Sequence, residues 1–232
     1  MSNQLDGLSE TVKWRLLVEA AKKGAESQGY ALTRVPGRGL SNIWSITKNG
    51  KTQTASIRTT RDRWFAFPPL RGGTKWKTLD DVEVVIVATV DSKDDPENVE
   101  VYIFPADEVR ARFNAAYAAR IKSGQKTKDN FGMWVALDHD DRRTATSVGS
   151  GIVEKYKQVA KYPITDLLKA RPDHEVLDGR DDADEEETRG GIEVEQTRFS
   201  TIAEVMAWAR TAVAEIAGVR DEAVKLDLKI EY

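Results

Sequence analysis

The chain is predicted to be an α/β protein: a central mixed sheet flanked by helices, followed by a small C-terminal strand-helix-strand unit. Three observations carry this reading. The run "VEVVIVATV", residues 82–90, is almost continuously apolar, which suits a central strand buried on both faces. Trp14, Leu17, Val18, Ala21 and Ala25 before it recur at helical spacing, as do Val109, Phe113, Ala116 and Tyr117 after it. Between them, "KNGK" joins two extended runs, and Asn49-Gly50 is a strong hairpin signal.

In chain order, residues 9–28 form the first helix, with Gly29 as its left-handed stop. Tyr30–Val35 alternates weakly and reads as a short strand. "PGRGLSN", 36–42, is a turn, since proline and glycine both punctuate it. It lacks the Gly-Lys-Ser/Thr of a phosphate-binding loop. Ile43–Thr47 and Thr52–Thr59 are the hairpin strands, and Trp64–Phe67 continues in extended form. "PPLRGGTKWK" reads as a loop. After the central strand, "VEVYIF", 99–104, is another strand, Pro105 opens the second helix and Gly124 ends it. "GMWVAL", 132–137, is a strand, and residues 151–161 and 164–170 are short helices broken at Pro163.

Residues 171–191 are acidic and poor in aliphatic side chains, as in a flexible linker. Beyond them, "IEVE", a helix with Thr201 and Glu204 as a capping box, and the alternating "VKLDLKIEY" complete the chain. The expected organisation is a core over 1–124, a strand and helical extension over 125–170, the linker over 171–191 and the C-terminal unit over 192–232.

Composition narrows the chemistry. The 232 residues include no cysteine and only His139 and His174, which excludes cysteine-ligated zinc and disfavours a multi-histidine metal site. "LDHDDRR", 137–143, reads as a polar turn, because its acids do not have the spacing of a calcium loop. No apolar run is long enough to span a membrane, and the opening residues lack the pattern of a secretory leader. A cytoplasmic location is the expectation. The net charge of −3 hides an asymmetry: up to Lys77 there are fourteen Lys/Arg against five acids. A basic first third suits a polyanionic partner.

The strands "SNIWSITKNGKTQTASIRTT", the aromatic "RWFAF", the strand "LDDVEVVIVATV" and the strand-helix "VEVYIFPADEVRARF" together resemble the PD-(D/E)XK nuclease superfamily, in particular its homing-endonuclease and resolvase-like members. The likeness covers roughly residues 9–122. It implies a nucleic-acid partner, double-stranded DNA above all. The family's chemistry needs an acid on the first hairpin strand, then an acid and a lysine two residues apart on the next, so that both point to one face and hold and use Mg²⁺. Here Ser56 stands in the acid's place and Arg58 in the lysine's, and "NIWSI" supplies no acid. A hydroxyl is a poor carboxylate substitute, and arginine stays protonated.

The resemblance therefore implies a degenerate site that binds without cutting and needs no cofactor. Arg34, Arg38, Lys48, Lys51, Arg58, Arg61 and Arg63 are the expected phosphate contacts, with Trp64 as a stacking candidate, while Phe65 and Phe67 belong to the core. One alternative is an active Mg²⁺-dependent nuclease whose carboxylates have moved to Glu10, Glu19, Asp80 or Asp81. Another is a protein-interaction module acting through the acidic tract or the C-terminal strand, the latter by pairing with a second copy into a homodimer.

Overall fold

The chain divides into two compact units, Met1–Arg189 and Gly190–Tyr232. The computed structural model describes residues 4–35 and 43–170, and beyond these only the single positions Met206, Arg210 and Lys225. The predicted turn at 36–42 and the acidic stretch 171–191 lie outside the described residues, as does the predicted C-terminal unit apart from those three positions.

Helix α1 (Glu10–Ser27) starts where Ser9 caps it, its hydroxyl accepting from the Val12 N–H, and it stops at Gly29, whose φ of +83° few other residues tolerate. Strands β1 (Ala31–Arg34), β2 (Ile43–Lys48) and β3 (Lys51–Thr60) make an antiparallel meander. Its β2–β3 turn is Asn49-Gly50, with φ of +51° and +75°, the pair of positive angles that a tight two-residue hairpin demands. The chain then leaves the sheet. Strand β4 (Trp64–Phe67), the two-residue strands β5 (Pro69–Leu70) and β6 (Lys75–Trp76), and a turn of 3-10 helix (Leu79–Asp81) carry it back to β7 (Val84–Val90). Strand β7 lies parallel to β3, and β8 (Asn98–Pro105) pairs antiparallel on its other side. Helix α2 (Ala106–Lys122), strand β9 (Met133–Ala136), the single-turn helix α3 (Ile152–Lys155), edge strand β10 (Ala160–Pro163) and helix α4 (Ile164–Lys169) follow.

The result is a six-stranded mixed sheet in the order β1-β2-β3-β7-β8-β10, with helices against it. Every residue of β7 is buried, as its apolar sequence demands. Alternation sorts the two cores. Ile57, Ile86, Ala88, Val99 and Val101 face α1 and its Leu17, Ala20 and Ala21. Val85, Val87, Tyr102 and Phe104 face the other way, onto Val109 and Phe113 of α2 and onto Phe65, Phe67, Met133 and Val135 of a two-stranded ribbon, β4 with β9. Phe113 holds this second layer together: its ring meets those of Phe65, Phe67 and Trp76 edge-on, with centroids 5.4, 5.4 and 5.2 Å away.

Two expectations change. The stretch 69–77 is a short hairpin rather than a loop. The helix expected over 151–161 is one turn, after which the chain straightens into β10, because the outer edge of β8 takes Val159–Pro163 as a partner. Within 125–170, β10 completes the main sheet and β9 completes the ribbon. Among the described residues no helix is long and apolar enough to cross a membrane.

Helix α1 lies very close to β8. A Cβ built on Gly24 would stand 2.6 Å from Cγ1 of Val101. Alanine normally favours a helix over glycine by about 1 kcal/mol. Here Gly24→Ala is expected to destabilise the fold by about 1–3 kcal/mol through overpacking, as a lowered midpoint in urea unfolding will show.

Candidate nucleic-acid interface

The positions that match the nuclease motif lie inside the second core layer. Ser56 is fully buried, and its hydroxyl has no hydrogen-bond partner. Arg58, two residues along on the same face, lays its guanidinium over the Phe67 ring at 4.5 Å. The ribbon and α2 cover this face. The acids proposed as relocated ligands are divided between the two sides of the sheet. Glu10 and Glu19 sit on α1, paired with Arg61 and Lys13 and with Lys22 respectively. Asp80, on the 3-10 turn beside α2, accepts from Arg110 and from the Trp76 N–H, with Asp81 exposed next to it. No group of three or more acidic, histidine or cysteine side chains suited to a metal occurs among the described residues.

The expected phosphate contacts do not form one surface either. Arg34, Lys48 and Lys51 belong to the α1 face of the meander, because register and alternation align them with Leu32 and Ile46. Arg58 points to the opposite face. Arg61 is held by both oxygens of Glu10, at 3.2 and 2.7 Å. Arg38 lies outside the described residues.

Arg63 has a structural task. It holds a φ of +64°, and its guanidinium donates to both oxygens of Asp138 (2.6 and 2.9 Å), to Glu100 (3.0 Å), to the Val90 carbonyl (3.0 Å) and to the Tyr102 hydroxyl (3.3 Å). The Asp138 carboxylate raises its pKa well above the ordinary arginine value. Tyr102 in turn donates to Glu100 at 2.8 Å. Burial pushes the Tyr102 hydroxyl up to about 12, with Glu100 adding to the rise and Arg63 opposing it. Lys161 extends the cluster by bridging Glu100 and Asp91. Burial of Asp91 favours its neutral form, but the Asn98 side chain and the Asn98 and Glu97 N–H groups outweigh that and hold it at about 2. The cluster ties the end of β3 to β8, β10 and the segment after β9.

A cationic surface does form elsewhere. In the β5–β6 hairpin Trp76 turns inward, so Lys75 and Lys77 turn out, and Arg71 occupies the exposed tip at a φ of +51°. The segment after α2 comes against this hairpin: the Asn130 N–H donates to the Pro69 carbonyl, the Gly72 N–H to the Asp129 carboxylate, and the Thr127 hydroxyl to the Tyr117 hydroxyl. The Tyr117 ring also lies against Gly73 so closely that a Cβ there would stand 2.4 Å from it. Lys122, Lys126 and Lys128 are exposed on that segment. The stretches 71–77 and 122–130 thus carry six exposed cations and a single carboxylate, Asp129, which already accepts from the Gly72 N–H.

On α2, two residues before Lys122, Arg120 is 9% exposed, donates a hydrogen bond of 2.6 Å to the Trp134 carbonyl, keeps a buried Nε without a hydrogen-bond partner and forms no ion pair among the described residues. Burial lowers its pKa. The aromatic side is equally ordered. Phe65, Phe67, Met133 and Val135 point inward, so Trp64, Ala66, Trp134 and Ala136 share the outer face of the ribbon, where Trp64 pairs with Ala136 and Ala66 with Trp134. Phe131, 56% exposed, meets the Trp134 ring edge-on at 5.8 Å. In the sequence, Arg71, Lys75 and Lys77 register only in the total charge, and Arg120, Phe131, Trp134 and the lysines of 122–128 carry no motif.

No protein-family model matches the chain, and no curated protein or solved structure matches it.

Two outcomes separate the structural arginine from the lip. Arg63→Ala removes the donors to Asp138, Glu100 and the Val90 carbonyl, leaving Glu100 with Lys161 and Tyr102, and is expected to lower stability by about 1–3 kcal/mol in denaturant unfolding. The same titration run against pH carries a sign. The folded pKa of Tyr102, about 12, lies above the ordinary 10.0, so the stability from its neutral hydroxyl is complete below pH 10 and lost as pH rises toward 12. Arg120→Met should behave in the opposite way to Arg63→Ala. It removes a buried charge that lacks a counter-ion, so the melting temperature is expected to stay level or rise.

Proposed function

We propose that this protein binds nucleic acid through its phosphate backbone and does not cut it. The observation that carries the reading is the lip: Arg71, Lys75, Lys77, Lys122, Lys126 and Lys128 are all exposed, have no ion-pair partner among the described residues, and lie on two segments laced together by hydrogen bonds. Acids elsewhere on the described chain sit beside a cation, as Glu10, Glu19 and Asp140 do. Unpaired like charges held together repel each other, and a polyanion relieves that repulsion while releasing its own counter-ions.

The resemblance to the PD-(D/E)XK superfamily is part of the proposal. A helix, an antiparallel meander and a parallel central strand are in keeping with a core of that kind, in a form whose motif positions carry Ser56 and Arg58. Support for binding without cleavage comes from the burial of Ser56, from the Arg58 guanidinium lying over the Phe67 ring, and from the placement of Glu10 and Glu19 on the other side of the sheet from Asp80 and Asp81. The proposal moves the contact surface from Arg58, Arg61 and Arg63 to the lip, while the polyanionic partner read from the charge asymmetry stays the same.

Affinity for a fluorescent oligonucleotide, measured across a salt series, tests this. The wild type is expected to lose affinity steeply with salt. Replacing Lys75, Lys77, Lys126 and Lys128 by alanine is expected to flatten the log–log slope by about three units. Replacing Arg34, Lys48 and Lys51 instead should leave it nearly unchanged. The reverse result would move the interface to the α1 face. Mg²⁺-dependent cleavage abolished by a single carboxylate substitution would overturn the non-catalytic reading.

A further inference from the structure

The lip explains attraction to any phosphate chain, but the aromatic residues beside it are more selective. We infer that the preferred partner is single-stranded, with its bases stacking on Phe131 and Trp134 while its phosphates follow the lysines. This rests on the nucleic-acid reading above and adds the strand state of the ligand.

Phe131 follows the lysine-bearing segment directly, its N–H donates to the Lys128 carbonyl, and more than half of its surface meets solvent. An exposed phenylalanine contributes little to the core, yet its ring packs edge-on against Trp134. Trp134 is itself held by the ribbon register, on the same outward face as Trp64. A fixed, open ring flanked by cations is what an unpaired base needs: a flat apolar surface for its own face and a positive charge for the adjoining phosphate. Paired bases inside a duplex are stacked on their neighbours and cannot offer their faces, so a double helix gains only the ionic part.

Arg120 supplies the second, independent point. Its side chain is nine-tenths buried, keeps its Nε without a hydrogen-bond partner and forms no ion pair among the described residues. A buried cation without a counter-ion is costly. Its bond to the Trp134 carbonyl sets its charge close to the stacking residues, so a phosphate bound at the surface beside them would offset that charge through space.

The test compares a 20-nucleotide oligothymidylate with a blunt 20-base-pair duplex by fluorescence anisotropy, at the same low salt, with the full chain. The single strand is expected to bind more tightly. Phe131→Ala is expected to weaken its binding about tenfold while leaving duplex binding and the salt slope unchanged. Phe131→Trp, which keeps a ring, is expected to retain the affinity. Phe131 is exposed, so thermal melting of each variant should match the wild type and shows that the fold is intact. Equal or tighter binding of the duplex, or Phe131→Ala without effect on the oligothymidylate, would overturn the inference and leave the phosphate-binding reading in place. Absence of salt-dependent binding to both would remove that reading as well.

Discussion

The second layer of this fold depends on one aromatic hub. Phe113 of α2 meets Phe65 and Phe67 of the ribbon and Trp76 of the small hairpin, each edge-on. Edge-to-face contact has a preferred geometry as well as an apolar area, so it fixes positions and not merely proximity. Four separate pieces of chain take their places from that one ring: α2, β4, the β5–β6 hairpin and, through the ribbon, β9. The cationic lip is built on two of them. Lys75 and Lys77 face solvent because Trp76 faces Phe113, and Lys122, Lys126 and Lys128 lie close by because α2 ends beside the same hairpin. The charged surface is therefore a by-product of how the apolar interior is satisfied.

The two arginines with the deepest surroundings illustrate how burial assigns roles. Arg63 gives its donors to two carboxylates, a carbonyl and a hydroxyl, and it sits where β3 leaves the sheet. Its charge is neutralised, so nothing remains for a ligand. Arg120 is no less hidden but has one carbonyl and no anion. The same side chain is complete in one setting and incomplete in the other. Sequence position alone suggested the opposite assignment, because Arg63 stands in a basic cluster and Arg120 near the end of an ordinary helix.

How much was legible follows from the range over which each signal acts. The all-apolar run of β7, the helical spacing of α1 and α2 and the Asn49-Gly50 turn are local, and they appear where the chain predicts them. The edge strand β10 overlaps the end of the helix expected over 151–161, because its extended form comes from the edge of β8, some sixty residues earlier, and not from its own composition. The structural task of Arg63 is hidden for a similar reason. Its partners Asp138 and Glu100 lie 75 and 37 residues away in sequence. The lip was invisible because each half is an unremarkable run of lysines, and only the contacts of Asn130 and Gly72 bring the halves together.

The parallel pairing of β3 with β7 has a consequence for how the molecule comes into being. Parallel neighbours cannot be joined by a tight turn, and here the excursion between them, residues 61–83, holds β4 and its two phenylalanines. Those rings are covered only when α2 and then β9, residues 133–136, arrive. During synthesis the meander and α1 are available early, while the underside of the sheet stays greasy and open until the ribosome has released more than half of the chain. That interval is when a nascent molecule of this design is most prone to association with its neighbours.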